Sequence, residues 1–167
     1  MAVVVWVAEG TWQACIDAMR MYVPARTPVV LLHVSPEDVA GAAHGAFAGL
    51  MGRGHPRSSP PDGWGSDPGT RMEALADAAG RRLLDAAAER LGRPCTRVEC
   101  AGRVEHEVVT AAAGADLLVL ARDGDRTRPG PRSLAPATRF AVDHAACPVL
   151  LVWPAPPQAP ALPPGAH

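Results

Sequence analysis

Val3 to Val7 is an unbroken, largely β-branched apolar run, and such a strand fits a sheet covered on both faces. Ala8-Glu9-Gly10-Thr11 breaks the run, with Thr11 placed to cap a helix. From Trp12 to Tyr22 the apolar positions turn helical, with Cys15, Ile16, Met19 and Val23 on one stripe and Pro24 as the stop. Val29 to Val34 is a second buried strand, closed by Ser35-Pro36. A cap, a proline and the acids Glu37-Asp38 then open a short Ala/Gly-rich helix to about Met51. The pattern dissolves into Gly, Pro, Ser, Arg and Asp over 52–69, a long surface loop predicted to be mobile.

Thr70 and Glu73 have capping-box spacing. A long helix is predicted after them to Leu91, with Met72, Leu75, Ala79, Leu83 and Ala86 or Ala87 inward and Gly92 as the residue that ends it. Cys95 to Cys100 alternates, which predicts a strand open on one side and near a sheet edge. After the turn Ala101-Gly102-Arg103 comes a helix over Val104 to Ala113, ended by Gly114. Leu117 to Leu120 is a strand, and Arg122 to Arg132 a Gly/Pro/Arg loop. Ser133 to about Ala145 reads as a helix with Pro136 confined to its first turn, and Val149 to Trp153 as the last strand. Strands alternating with helices predict an α/β fold, a doubly wound parallel sheet with helices on both faces.

Composition narrows the function. With 167 residues there is room for one domain, read here as 1–153, followed by a Pro/Ala-rich tail over 154–167 with too little to bury to be ordered. A 48% hydrophobic and 20% charged chain supports a real core. The formal charge of −1 argues against binding a phosphate backbone, so no nucleic-acid partner is expected. No apolar run approaches the roughly 20 residues that cross a bilayer. The start Met1-Ala2-Val3 has no basic segment of a signal peptide, and a cytoplasmic location is expected. All 16 basic residues are Arg, so neither a Walker lysine nor a Schiff-base lysine exists. Cys15, Cys95, Cys100 and Cys147 form no C-x-x-C pair and are read as small core residues, not a metal site.

A ligand in an open α/β sheet sits beyond the carboxyl ends of the strands, where the strand order reverses. With the first strand central, two segments would face each other there: Glu9-Gly10-Thr11, and the loop from Ala121 through Arg122, Asp123, Gly124 and Asp125 to Arg126 and beyond. That loop also holds Arg128, Gly130 and Arg132, and Ser133 is expected to start the next helix. Guanidinium groups, glycine backbone and a helix N-terminus all suit phosphate. A solvated loop whose arginines pair with Asp123 and Asp125 is the alternative. Glu9 either accepts ribose hydroxyls or places a charge at the start of the next helix.

Other constellations carry less. Glu105-His106-Glu107 lacks the second His of a metalloprotease helix and reads as a solvated face. Asp123-Gly124-Asp125 lacks the closing Glu of a calcium loop, Ala135 standing there. His33 reads as a hydrogen-bonded core residue and His144 as a favourable charge at a helix end. Trp12 and Trp153 are packing or interface residues. No Gly-x-Ser-x-Gly elbow is present, so no catalytic residues and no metal are assigned.

The order of elements resembles the universal stress protein family. Ala8-Glu9-Gly10-Thr11 after the first strand resembles that family's Asp-Gly-Ser, Leu31-Leu32-His33-Val34 its second strand, and His144-Ala145-Ala146-Cys147-Pro148-Val149 its closing His-Ala-Pro-Cys-Pro-Val. The resemblance implies a five-stranded sheet of order 3-2-1-4-5, a homodimer joined through the last strand, and an adenine nucleotide, ATP or AMP, with its base read near Val34. It implies a binding or signalling module and not an enzyme. The alternatives are an interaction protein that binds no nucleotide, or a nucleotide hydrolase or transferase on the same fold. In the family's ATP-binding motif, two glycines and a Gly-Ser or Gly-Thr pair follow the fourth strand. Here Ala121 and Gly124 stand at the glycines, and the pair falls on or beside Ala135-Pro136. Pro136 can donate no N–H to a phosphate.

Overall fold

The computed structural model describes residues 2–36, 68–124 and 134–154. In chain order these form β1 (Val3–Trp6), α1 (Trp12–Tyr22), β2 (Val29–Pro36), α2 (Pro68–Leu91), β3 (Thr96–Gly102), α3 (Val104–Ala112), β4 (Leu117–Ala121), α4 (Pro136–His144) and β5 (Val149–Val152). The helix expected up to Met51, the remainder of the 52–69 loop, and all but Pro154 of the tail lie outside the described residues.

The five strands form one parallel sheet in the order β3-β2-β1-β4-β5. Side-chain alternation splits the strands between two cores. Val3, Val5 and Val7, with Leu31 and Val119, pack under α1 through Cys15, Ile16 and Met19 and under α2 through Leu84, Ala87 and Leu91. Val4 and Trp6, with Leu32, Leu118 and Leu120, pack against Val108 and Ala112 of α3 and Ala141 of α4. The continuous apolar runs in the sequence record this two-faced burial. At the opposite edge from the strand ends, Asp116 N–H donates to Ala2 O at 2.9 Å, which fixes the start of β4 against β1.

Several local expectations are corrected. β2 does not stop before Ser35-Pro36: both residues continue the strand, paired with Ala101 and Gly102 of β3. The loop gives up Pro68 and Gly69 to α2, so the helix starts before Thr70 and the capping box is not its start. Proline fits a first helical turn, where the missing N–H has no intrahelical partner. Along α2 the buried residues are Gly80, Leu84, Ala87 and Leu91, with Leu83 packed against the same core, so Leu83 and Ala87 face inward as expected, whereas Leu75 is 60% exposed and Ala79 is exposed. Residues 74–77 are all exposed, so Leu75 faces no core. Met72 lies outside the described side chains. Thr11 is the N-cap position of α1 but makes no side-chain cap; its hydroxyl donates back to Ala8 O at 3.4 Å. Gly92 does close α2, with φ +68° and its N–H on Ala88 O at 3.1 Å.

Arg90 of α2 binds Asp17 of α1 through two hydrogen bonds of 2.9 and 2.7 Å and, by those bonds, holds the carboxyl below its ordinary range. The side chains are 43% and 50% exposed, so the pair orients the two helices more than it stabilises them. Of the cysteines only Cys15 is buried; Cys95, Cys100 and Cys147 are half-buried, and all four are free thiols. Burial pushes the Cys15 thiol up to about 12. The nucleophile is the thiolate, so Cys15 should resist a thiol reagent at pH 8 until the protein unfolds. Peptide mapping after timed labelling checks this. Modification of Cys15 as fast as Cys95 without denaturant would contradict the packing.

Candidate functional site

β1 and β4 are direct neighbours, in register Val3↔Leu117 to Val5↔Val119. Their outgoing turns therefore open at the same edge of the sheet, as the sequence predicted. The first turn, Ala8-Glu9-Gly10, is closed by main-chain bonds from Thr11 (3.3 Å) and Trp12 (3.1 Å) to Ala8 O. Gly10 adopts φ +77°, a conformation that side chains rarely accept, and so leads the chain directly into α1. Glu9 is exposed at this turn and Ala8 is half-buried beneath it.

β2 pairs with β1 only as far as Leu32, so Val34 runs past the end of β1 with Cys100 of β3 on its far side. Its side chain is buried in the α3/α4 core. His33, on the opposite face, donates from Nδ1 to Val7 O at 3.0 Å, the hydrogen-bonded state expected for it. A cavity of about 300 Å³ opens beside it, between Glu9 and the α2 residues Ala79, Gly80, Leu83 and Ala86, with Arg82 at its rim.

The sequence singled out neither this cavity nor Gly80. A Cβ at Gly80 would meet Glu99 Oε1 and lie 2.7 Å from His33 Cδ2. His33 and Glu99 are cross-strand partners, and both press into the notch that glycine leaves in α2. Glu99 Oε1 is buried there without a hydrogen-bond partner. The one signal available was a glycine inside an otherwise Ala-rich helix.

On the β4 side, Arg122 N–H donates to Val152 O at 2.8 Å, so β4 and β5 stay joined to the start of the loop. The Arg122 guanidinium lies over the Trp153 ring, 5.6 Å from its centre, a cation–π contact on the β5 side. Asp123 Oδ1 accepts the Ala135 N–H at 3.1 Å, and the arginines Arg126, Arg128 and Arg132 that the solvated-loop alternative would pair with it lie outside the described residues. Gly124 is half-buried. Arg126, Gly130, Arg132 and Ser133 lie outside the described residues. The helix expected from Ser133 begins instead at Pro136, with Ala135 as its N-cap and no side-chain cap.

A second groove, of about 440 Å³, runs between α1 and β5. Met21, Tyr22 and Trp153 line it and are 74%, 67% and 60% exposed. Elsewhere, His106 stays at the surface beside Phe140, and Phe140 stacks on His144 at 4.0 Å. Among the described residues no group of three or more His, Cys, Asp or Glu side chains could hold a metal ion, and no helix is long and apolar enough to cross a membrane.

No family model and no curated protein sequence matches the chain. Solved structures do. A universal stress protein from Archaeoglobus fulgidus is 16% identical, with a TM-score of 0.61, over 91% of this chain and 98% of that one. A universal stress protein family protein from Arabidopsis thaliana, with AMP bound, is 18% identical at a TM-score of 0.57, over 96% of each chain. A universal stress protein in complex with cAMP is 16% identical at a TM-score of 0.58, over 92% of this chain and 96% of that one. The chain has the universal stress protein fold. At these identities the likeness fixes the path of the backbone, and the site must be argued from its own side chains.

Gly80→Ala should destabilise the protein by about 1–3 kcal/mol, because the new methyl group displaces His33 and Glu99 from the notch. Urea unfolding measures it. An unchanged midpoint would show that the two side chains move aside freely.

Proposed function

We propose that this protein is a universal-stress-type binding module that holds an adenine nucleotide across the ends of β1 and β4 and works as a homodimer. The observation that carries this is the pairing of β1 with β4, which opens both outgoing turns on one edge of the sheet. AMP and cAMP in two proteins of the same fold support the choice of ligand. In this reading Glu9 accepts the ribose hydroxyls, the main chain at Val34 lies beside the base, and Ala8 and Gly10 form the floor of the turn. Gly124, Gly130, Arg126, Arg132 and Ser133 supply the phosphate contacts, and guanidinium groups take over what Ala121 and Pro136 cannot provide. The role is binding, with no chemical step assigned.

The dimer is proposed through β5. Among the described residues that strand pairs only with β4, all four of its residues are half-buried, and the exposed Trp153, Met21 and Tyr22 stand beside it. An uncovered edge strand flanked by large apolar side chains is a template for pairing with another chain. A reading without nucleotide, as an interaction protein, is favoured by one observation: Pro136 opens α4 without an N–H.

Millimolar AMP should raise the melting temperature, since a ligand of the native state at a hundred times its Kd adds about 2.7 kcal/mol. Arg126→Ala with Arg132→Ala should abolish the shift. No shift with AMP, cAMP or ATP would leave only the interaction reading. For the dimer, light scattering at high concentration should give twice the 17.4 kDa chain mass, and Trp153→Glu should move the population toward monomer. A monomer at every concentration would refute the assembly.

A further inference from the structure

The outer side of α1 carries a channel. Ala14 and Ala18 stand one turn apart there and are half-buried, so small side chains form its floor. Its walls are large: Met21 and Tyr22 at the end of the helix and Trp153 just past β5, each more than half exposed. Arg122 lies over the Trp153 ring and still leaves that residue 60% exposed. Large apolar side chains gathered around one groove mark a surface that is covered in use. Among the described lining residues the only charged side chain is Asp17, which Arg90 already binds. The groove is therefore neutral and apolar. Pro154, the last described residue, is itself part of the lining, so the chain leaves β5 at the groove.

The sequence that follows matches this surface. No charged side chain stands between Pro154 and His167. Pro157, Pro160 and Pro163 recur at every third position. A polyproline II helix has three residues per turn, so this spacing puts three proline rings on one edge of it. Aromatic-lined grooves are the surfaces that accept such a helix. The lengths agree: residues 157–163 would span roughly 20 Å in this form, against about 16 Å for the eleven residues of α1.

We propose that residues 157–163 of this chain's own tail dock as a polyproline II helix in the groove between α1 and β5, with the Pro157, Pro160 and Pro163 edge against Met21, Tyr22 and Trp153. The tail buries too little by itself to order, and the groove supplies the apolar partner it lacks. Proline has already restricted the segment, so docking costs it less entropy than it would cost an ordinary one. Ala155 and Pro156 join it to Pro154, and a segment tethered at the groove meets it at an effective concentration of about millimolar, which favours this copy's tail over any other. The proposal is independent of the nucleotide reading, and it leaves the main-chain edge of β5 to the dimer.

The test uses the full chain. In a mixture of isotope-labelled and unlabelled protein, nuclear Overhauser contacts should join the Pro160 and Pro163 ring protons to the Tyr22 and Trp153 rings within one molecule. They should be absent from the spectrum filtered for contacts between labelled and unlabelled molecules. Pro157→Ser, Pro160→Ser and Pro163→Ser together should abolish the contacts and move the Met21 methyl resonance. Pro156→Ser with Pro164→Ser, which lie off that edge, should leave both unchanged. Contacts found only between molecules would seat the tail on a second copy and overturn the proposal. It is overturned equally by no contacts in the unsubstituted protein, by contacts that survive the triple substitution, or by their loss in both variants alike.

Discussion

The handedness of the crossovers governs this molecule. A parallel strand–helix–strand unit packs back on its sheet only when right-handed. From β1 through α1 to β2, and through α2 to β3, the chain moves in one direction and lays both helices on one face. It then returns to the other side of β1, and the same handedness forces α3 and α4 onto the opposite face. The reversal leaves β1 and β4 adjacent with their connections departing to opposite faces. A groove at their carboxyl ends is the geometric result, whatever side chains line it.

What lines it is local. The turn after β1 is shaped by hydrogen bonds to Ala8 O and by the positive φ of Gly10, which together bring Glu9 to the surface. Next to it, Gly80 lets α2 settle onto His33 and Glu99, whose side chains fill the space a methyl group would take. His33 is held by β1 through Val7 O, so one imidazole joins a strand, its neighbour and the covering helix. Across the groove, Asp123 replaces the missing side-chain cap of α4. A carboxylate at a helix N-terminus is a familiar stabilising arrangement.

Much of the fold was legible in the residues. Unbroken Val and Leu runs marked strands buried on both faces, and the stripe Cys15-Ile16-Met19 marked the inner face of α1, because each pattern has the period of the element that buries it. The alternation of Cys95 to Cys100 marked an edge strand, which β3 is. The start of α2 was misplaced: Thr70 and Glu73 offer capping-box spacing, but Pro68 already satisfies a first turn. Of the predicted inward stripe of α2, Leu83 and Ala87 face the core, whereas Leu75 and Ala79 are exposed, because Ala-rich sequence has weak periodicity. Of the candidate site, Ala8, Glu9, Gly10, Arg122 and Gly124 follow β1 and β4, which are neighbours in the sheet, and Val34, suggested by the family resemblance, lies on β2 past the end of β1.

The sequence by itself determined the number and type of the strands and their two-sided burial, since these follow from short-range patterning, while the central place of β1 was implied only by the family resemblance. Only the tertiary structure decided the partners: Asp123 with Ala135, Arg122 with Trp153, and His33 and Glu99 with the notch at Gly80. Each of these contacts joins segments that chain spacing does not relate. A charged or polar side chain takes whatever complementary group the packed backbone brings within about 3 Å, and that is fixed only once the layers close.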